Sequence, residues 1–215
     1  MKQLQDYKTI ILASQSPRRL EILRAHGVEP VVMPTDADET LPDGIGMEEA
    51  VRRISRVKAE ACYNELMRRL SAGEPDLAEL TADALIIAAD TVVYTDALGI
   101  MGKPADYDEA FLMLATIRNT YHYVATGVTL IELCGGRTED LNFADVTEVW
   151  CKNYTDQEID EYIAIDAPYD KAGSYAIQSA FGKHIDHIEG DYENVVGLPF
   201  NRIVRELKIH SQPNL

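Results

Sequence analysis

Residues 9–19 read TIILASQSPRR. Thr9 to Ala13 is a short apolar run bounded by polar residues, the pattern of a buried strand. Ser16 and Pro17 follow as an N-cap and a proline at the first helical position. A helix is therefore expected to about His26, ending at Gly27. A strand that turns into a capped helix aims backbone N–H groups and the positive dipole end at one spot, which suits a phosphate. Arg18 and Arg19 add forked donors for phosphate oxygens. Taken alone, the stretch also suits an ordinary strand–turn–helix with surface arginines.

Outward from it, strands and helices mix. Glu29 to Met33 reads as a second strand. Met47 to Leu70 is a helix, with Met47, Ala50, Val51, Ile54, Val57, Ala61 and Leu66 near helical spacing. Ser71 to Ala82 carries Gly73 and Pro75, is acidic, and reads as a surface excursion. Leu85 to Ala89 is a buried strand, and Val92 to Tyr94 with Gly99 to Met101 is a hairpin. Tyr107 to Thr116 is a helix. Tyr121 to Leu133 and Asn142 to Cys151 pair around Gly135-Gly136. Thr155 and Glu158 form a capping box for a helix to Ile165. Ser174 to Ile188 mixes extended structure with a glycine turn, and Pro199 to Ile209 closes as a helix. The class is α/β or α+β, with a cleft as the natural ligand site.

Composition narrows the partners. Hydrophobic residues make up 46% of 215, enough for a core. No run approaches the ~18 apolar residues of a membrane span. Met1 to Lys8 lacks the apolar core of a signal peptide, so a cytoplasmic protein is expected. The formal net charge of −16 argues against polymeric DNA or RNA. A small anion remains open, given local cations, a metal, or both. Cys62, Cys134 and Cys151 are odd in number and widely spaced, and read as reduced thiols.

Further chemistry-bearing residues recur downstream. Asp90 ends a buried apolar strand in Ala88-Ala89-Asp90-Thr91, where it either holds a cation, takes a proton from water, or caps a turn. Lys103 projects from Gly102-Lys103-Pro104, which lacks the glycine pattern of a P-loop. Asp36, Asp38 and Glu39 cluster in a loop, suited to a hard cation or simply solvated. Lys58 rides the long helix. Residues 170–178 and 190–199 carry small residues that permit close backbone approach. Gln178 brings both a donor and an acceptor.

Each signal alone is weak; their order is specific. S-x-S-P-R-R, D-E-T, a helical lysine, A-D-T-V-V, G-K-P, T-G-V, D-K-A-G-x-Y-x-I-Q and G-D-Y-x-N-V-V-G-L-P together resemble the Maf nucleotide pyrophosphatases, from about Ile10 to Leu207. The resemblance implies a single domain over residues 1–215. It would be an elongated mixed sheet with flanking helices and two lobes around a long cleft, similar to the inosine triphosphate pyrophosphatases. It implies a house-cleaning hydrolase that cuts a nucleoside triphosphate between the α and β phosphates, using magnesium or manganese. Asp90 falls on the catalytic acceptor, and Glu39 joins it as a metal ligand. Ser14, Arg18, Lys58 and Lys103 fall where phosphates bind. Arg19, Thr91 and Gln178 match the dTTP/UTP-directed branch. A pyrophosphatase for 7-methyl-GTP or other modified nucleotides, and a nucleotide-binding regulator of cell division, stay as alternatives. Family members are often dimers. Arg118 to His122 departs from the family's S-G-R-T-H, Ala88 replaces a common glycine, and the tract at 71–82 is longer than usual.

Overall fold

The computed structural model describes residues 1–211 apart from Thr35, Asp43, Pro75, Gly135 and Gly136. In chain order its elements begin with β1 (Thr9–Leu12), α1 (Pro17–Ala25), β2 (Val31–Val32), α2 (Met47–Ser71) and α3 (Leu77–Ala82). There follow β3 (Asp83–Thr95), β4 (Gly99–Met101), α4 (Tyr107–Ile117), β5 (Tyr121–Cys134) and β6 (Arg137–Cys151). The chain closes with α5 (Asp156–Asp166), β7 (Ile185–Glu189), α6 (Tyr192–Val196) and α7 (Phe200–His210). Among the described residues the strands form one mixed sheet in the order β2-β1-β3-β5-β6-β7, with β4 paired to the far end of β3. β1 runs parallel to β2 and β3, whereas β3, β5, β6 and β7 alternate in direction.

Side-chain alternation along β3 assigns the layers. Ala84, Ile86 and Ala88 pack against Ala59, Cys62 and Leu66 of α2 and Leu77 of α3. Leu85, Ile87 and Ala89 face the other way, onto Ile22 and Leu23 of α1 and Ile203 and Leu207 of α7. Further along that second face, Val93, Val124 and Val149 meet α4 and α5 through Leu114, Ile117, Ile159 and Ile163. The α/β reading therefore holds, as helices cover the mixed sheet.

Several expectations need correction. β3 is one continuous strand, registered on β5 from Asp83 to Tyr94, where the sequence suggests two. The excursion at 71–82 contains the helix α3, which buries Leu77 and Thr81 against the sheet. The second strand shrinks to Val31–Val32, with Met33 N donating to the Leu12 carbonyl. Ser16 stands at the N-cap position of α1 but its side chain makes no capping bond. Ser174 to Ile188 resolves into 3-10 turns at Ala172–Ser174 and Ala180–His184 and then β7. Gly135-Gly136 and Pro75, both read as turn signals, lie outside the described residues.

Candidate active site

β1 ends at Leu12, its last contact to β3 being Ala13 N to the Ile87 carbonyl at 2.9 Å. β4 meets β3 only from Val93 onward. Between them, among the described residues, Asp90 and Thr91 of β3 have no neighbouring strand on that side, beyond the carboxyl end of a parallel strand, where α/β sheets leave room for ligands. A cavity of about 810 Å³ opens there, within the 300–1,000 Å³ range of small-molecule sites.

The cavity gathers every residue singled out for chemistry by the resemblance: Ser14, Arg18, Arg19, Glu39, Lys58, Asp90, Thr91, Lys103 and Gln178 all line it. Asp36, Asp170, Lys171 and Tyr175 line it as well. Asp38 does not join them; its carboxylate accepts from the backbone N–H and hydroxyl of Thr40, at 3.0 and 2.6 Å.

Alternation along β3 sends Asp90 and Thr91 to opposite faces. Asp90 turns to α2, where Lys58 Nζ donates to its Oδ1 at 2.6 Å. The same ammonium lies 3.1 Å from Glu39 Oε1, so both carboxylates converge on one cationic atom. That convergence fits a hard divalent ion. Among the described residues no group of three or more His, Cys, Asp or Glu side chains is placed to hold a metal. Two carboxylates match the one or two that magnesium commonly takes from a protein when phosphates and waters complete its shell.

Thr91 turns to α1 and accepts from Arg19 Nη2 at 3.2 Å. Arg19 Nη1 donates to Ser14 Oγ at 3.0 Å and Nε to the Gly197 carbonyl at 2.8 Å. Burial holds the Arg19 guanidinium below its ordinary pKa, opposed by the charge of Asp90, and arginine stays cationic regardless. Ser14 Oγ also accepts from Ser16 N at 3.2 Å. With both lone pairs engaged, its proton is what remains for a ligand, which must supply an acceptor.

The segment 170–178 forms the opposite wall. Gly173 adopts φ +66°, and a Cβ there would come within 2.7 Å of Val93 Cγ2; its N–H donates to the Gly102 carbonyl at 3.0 Å, tying this wall to the turn bearing Lys103. Tyr175 is buried, with its hydroxyl 2.6 Å from His122 Nε2. Burial pushes His122 down to about 3, so it is neutral. Gln178 is exposed at the rim.

The divergent turn has a structural explanation. Asn119 takes φ +55°, a left-handed conformation asparagine tolerates, at the place of the family's glycine. Arg118 Nη1 donates to the Tyr154 carbonyl and to Asp156 Oδ1, at 3.1 and 2.7 Å, and so braces the start of α5.

Fold and cleft define an α/β protein with a small-molecule site lined by cations and facing carboxylates. A family model described as Maf-like protein matches residues 9–210, and the chain belongs to the Maf family. A dTTP/UTP pyrophosphatase of Agathobacter rectalis is 43% identical over 210 residues, covering 93% of this chain and 96% of that protein. One from Caldicellulosiruptor bescii is 39% identical over 196 residues, covering 91% and 92%. Among solved structures, the Staphylococcus aureus Ham1 protein shows a distant likeness, at 14% identity and a TM-score of 0.48, over 95% of this chain and 100% of that one. Among the described residues no helix is long and apolar enough to cross a membrane.

Sequence reasoning missed two residues behind this site. Thr126 and Asn194 are fully buried and hydrogen-bond to each other, Thr126 Oγ1 donating to the Asn194 carbonyl at 2.9 Å. Both lie in quoted motifs, but a contact to a backbone carbonyl leaves no signature in residue type.

Proposed function

We propose that this protein hydrolyses dTTP and UTP to the monophosphate and pyrophosphate. The observation that carries this reading is the meeting in one cleft of cations, carboxylates and the Arg19–Thr91 pair, in a chain whose relatives bear that activity in their names.

Arg18, Lys58 and Lys103 neutralise the phosphates, with Ser14 donating its hydroxyl proton to a phosphate oxygen. Asp90 orients a water for in-line attack on the α phosphorus and takes its proton. Pyrophosphate leaves against the lysines. Asp90 and Glu39 would hold a divalent cation, which when bound supplies charge neutralisation at the phosphates. Neither a cysteine nor a histidine lines the cleft among the described residues, and the reaction as read needs no covalent enzyme intermediate. Arg19, Thr91 and Gln178 face the base. We place the reaction in the cytoplasm, where nucleotides are free and thiols such as Cys62, Cys134 and Cys151 stay reduced. A homodimer is the assembly we expect.

Purified protein given UTP and magnesium should form UMP and pyrophosphate in equal amounts. UDP and orthophosphate as first products would overturn the reading. Excess EDTA should abolish turnover and magnesium or manganese should restore it; full activity in EDTA would remove the cation from the account.

A further inference from the structure

Uracil and thymine carry a proton on N3, whereas cytosine carries a lone pair there. A site that tells them apart needs a group of fixed polarity. Gln178 is exposed, and a primary amide presents donor or acceptor by flipping. Thr91 is different, because its hydroxyl is not free to turn.

Thr126 lies on β5 directly across from Thr91 on β3. Its hydroxyl touches two oxygens, the Asn194 backbone carbonyl at 2.9 Å and Thr91 Oγ1 at 3.0 Å. A carbonyl oxygen only accepts, so the single proton of Thr126 goes to Asn194. Thr91 must then donate its own proton to Thr126. Arg19 Nη2, which only donates, occupies one lone pair of Thr91 at 3.2 Å. The relay therefore runs one way, from Arg19 through Thr91 and Thr126 to Asn194. Its terminus is pinned, since Asn194 Nδ2 donates to the Val124 carbonyl at 3.0 Å and to Thr147 Oγ1 at 2.9 Å. What Thr91 has left for the cleft is one lone pair.

We propose that Thr126 is a positioning residue for base selection: it poles the Thr91 hydroxyl so that the cleft beside Arg19 accepts an imide N–H and rejects a ring-nitrogen lone pair. This rests on the pyrimidine reading above and adds to it a buried group that touches no substrate. Arg19 thereby sets two hydroxyls in opposite senses, Ser14 as a donor and Thr91 as an acceptor.

The test compares kcat/KM for UTP and CTP in the intact protein and its variants. Wild type should favour UTP. Thr126→Val keeps shape but frees the Thr91 proton, and the UTP-to-CTP ratio should fall by about tenfold, the scale of one mispaired buried polar group. The change should appear in KM, with kcat for UTP nearly held. Thr126→Ser, which restores a hydroxyl, should restore the ratio. A packing role alone would lower the melting temperature and scale both substrates together. If the valine variant does not fold, Thr126→Cys supplies similar volume with a weak donor and should also lose discrimination. An unchanged ratio in folded Thr126→Val or Thr126→Cys, equal loss on both nucleotides, or a wild type indifferent to UTP and CTP would each overturn the proposal. Failure of wild type to release pyrophosphate from UTP would instead overturn the functional reading, so the two failures are distinguishable.

Discussion

Asp90 and Thr91 meet different partners because side chains alternate along a strand. Asp90 meets Lys58 on one face and Thr91 meets Arg19 on the other. Asp90→Asn preserves size and can still accept from Lys58, but loses charge and basicity. Turnover should fall by roughly 10²–10⁴-fold, the scale of a general base, with the melting temperature nearly held. A folded variant with normal turnover would reassign Asp90 to structure. His122 carries a different prediction. Its folded pKa of about 3 lies below the unbound value of 6.5, so the unfolded chain takes up the proton first. The associated stability is complete above about pH 6.5 and drains as pH falls toward 3, by up to about 1.4 kcal/mol per pH unit. His122→Gln should therefore show a shallower loss of stability than wild type between pH 6 and 4 in urea titrations. Parallel losses would show that His122 does not set the acid limb.

At the level of elements, the helix α2 and the strand β5 touch through Gly127. A Cβ there would sit 2.1 Å from the Val51 carbonyl oxygen, a backbone atom that cannot swing away. Gly127→Ala should cost about 3 kcal/mol or more, or roughly 6–12 °C in melting temperature for a chain of this size. It should also impair turnover, because α2 carries Lys58 to Asp90; a melting temperature within a degree of wild type would refute the close contact. Elements marked by strong local chemistry were legible in advance. The Thr155–Glu158 capping box appears as read, with Thr155 N donating to Glu158 Oε2 at 2.8 Å and Glu158 N to Thr155 Oγ1 at 3.2 Å. The β3–β4 hairpin also appears as read. Short elements held by tertiary contacts were not. α3 and α6 are 6 and 5 residues long, too short for a helical period to show. β3 reads as two strands because polar Asp90 and Thr91 interrupt its apolar run; its pairing with β5 carries it through. The site was legible as a set of motifs in order, and its clustering was not, since Ser14 and Gln178 meet only through the fold.

Over the whole molecule, a net charge of −16 surrounds a cleft that collects Arg18, Arg19, Lys58, Lys103 and Lys171. We expect the local cations to admit a small anion and the acidic exterior to repel a long one. Poly(U) at nucleotide concentrations matching UTP should leave pyrophosphate release from UTP unchanged at low salt. Inhibition relieved by added salt would reveal a polynucleotide surface. The bond from Arg19 to the Gly197 carbonyl spans 178 positions of the chain, and this has a consequence in time. A ribosome delivers α1 long before α6. Neighbouring pairs such as β5 and β6 can form as soon as both strands emerge, but Arg19 lacks the Gly197 carbonyl until residue 197 follows. A nascent chain halted before residue 190 should contain most of the sheet and bind no nucleotide, so the catalyst is assembled only once the segment that carries Gly197 has emerged.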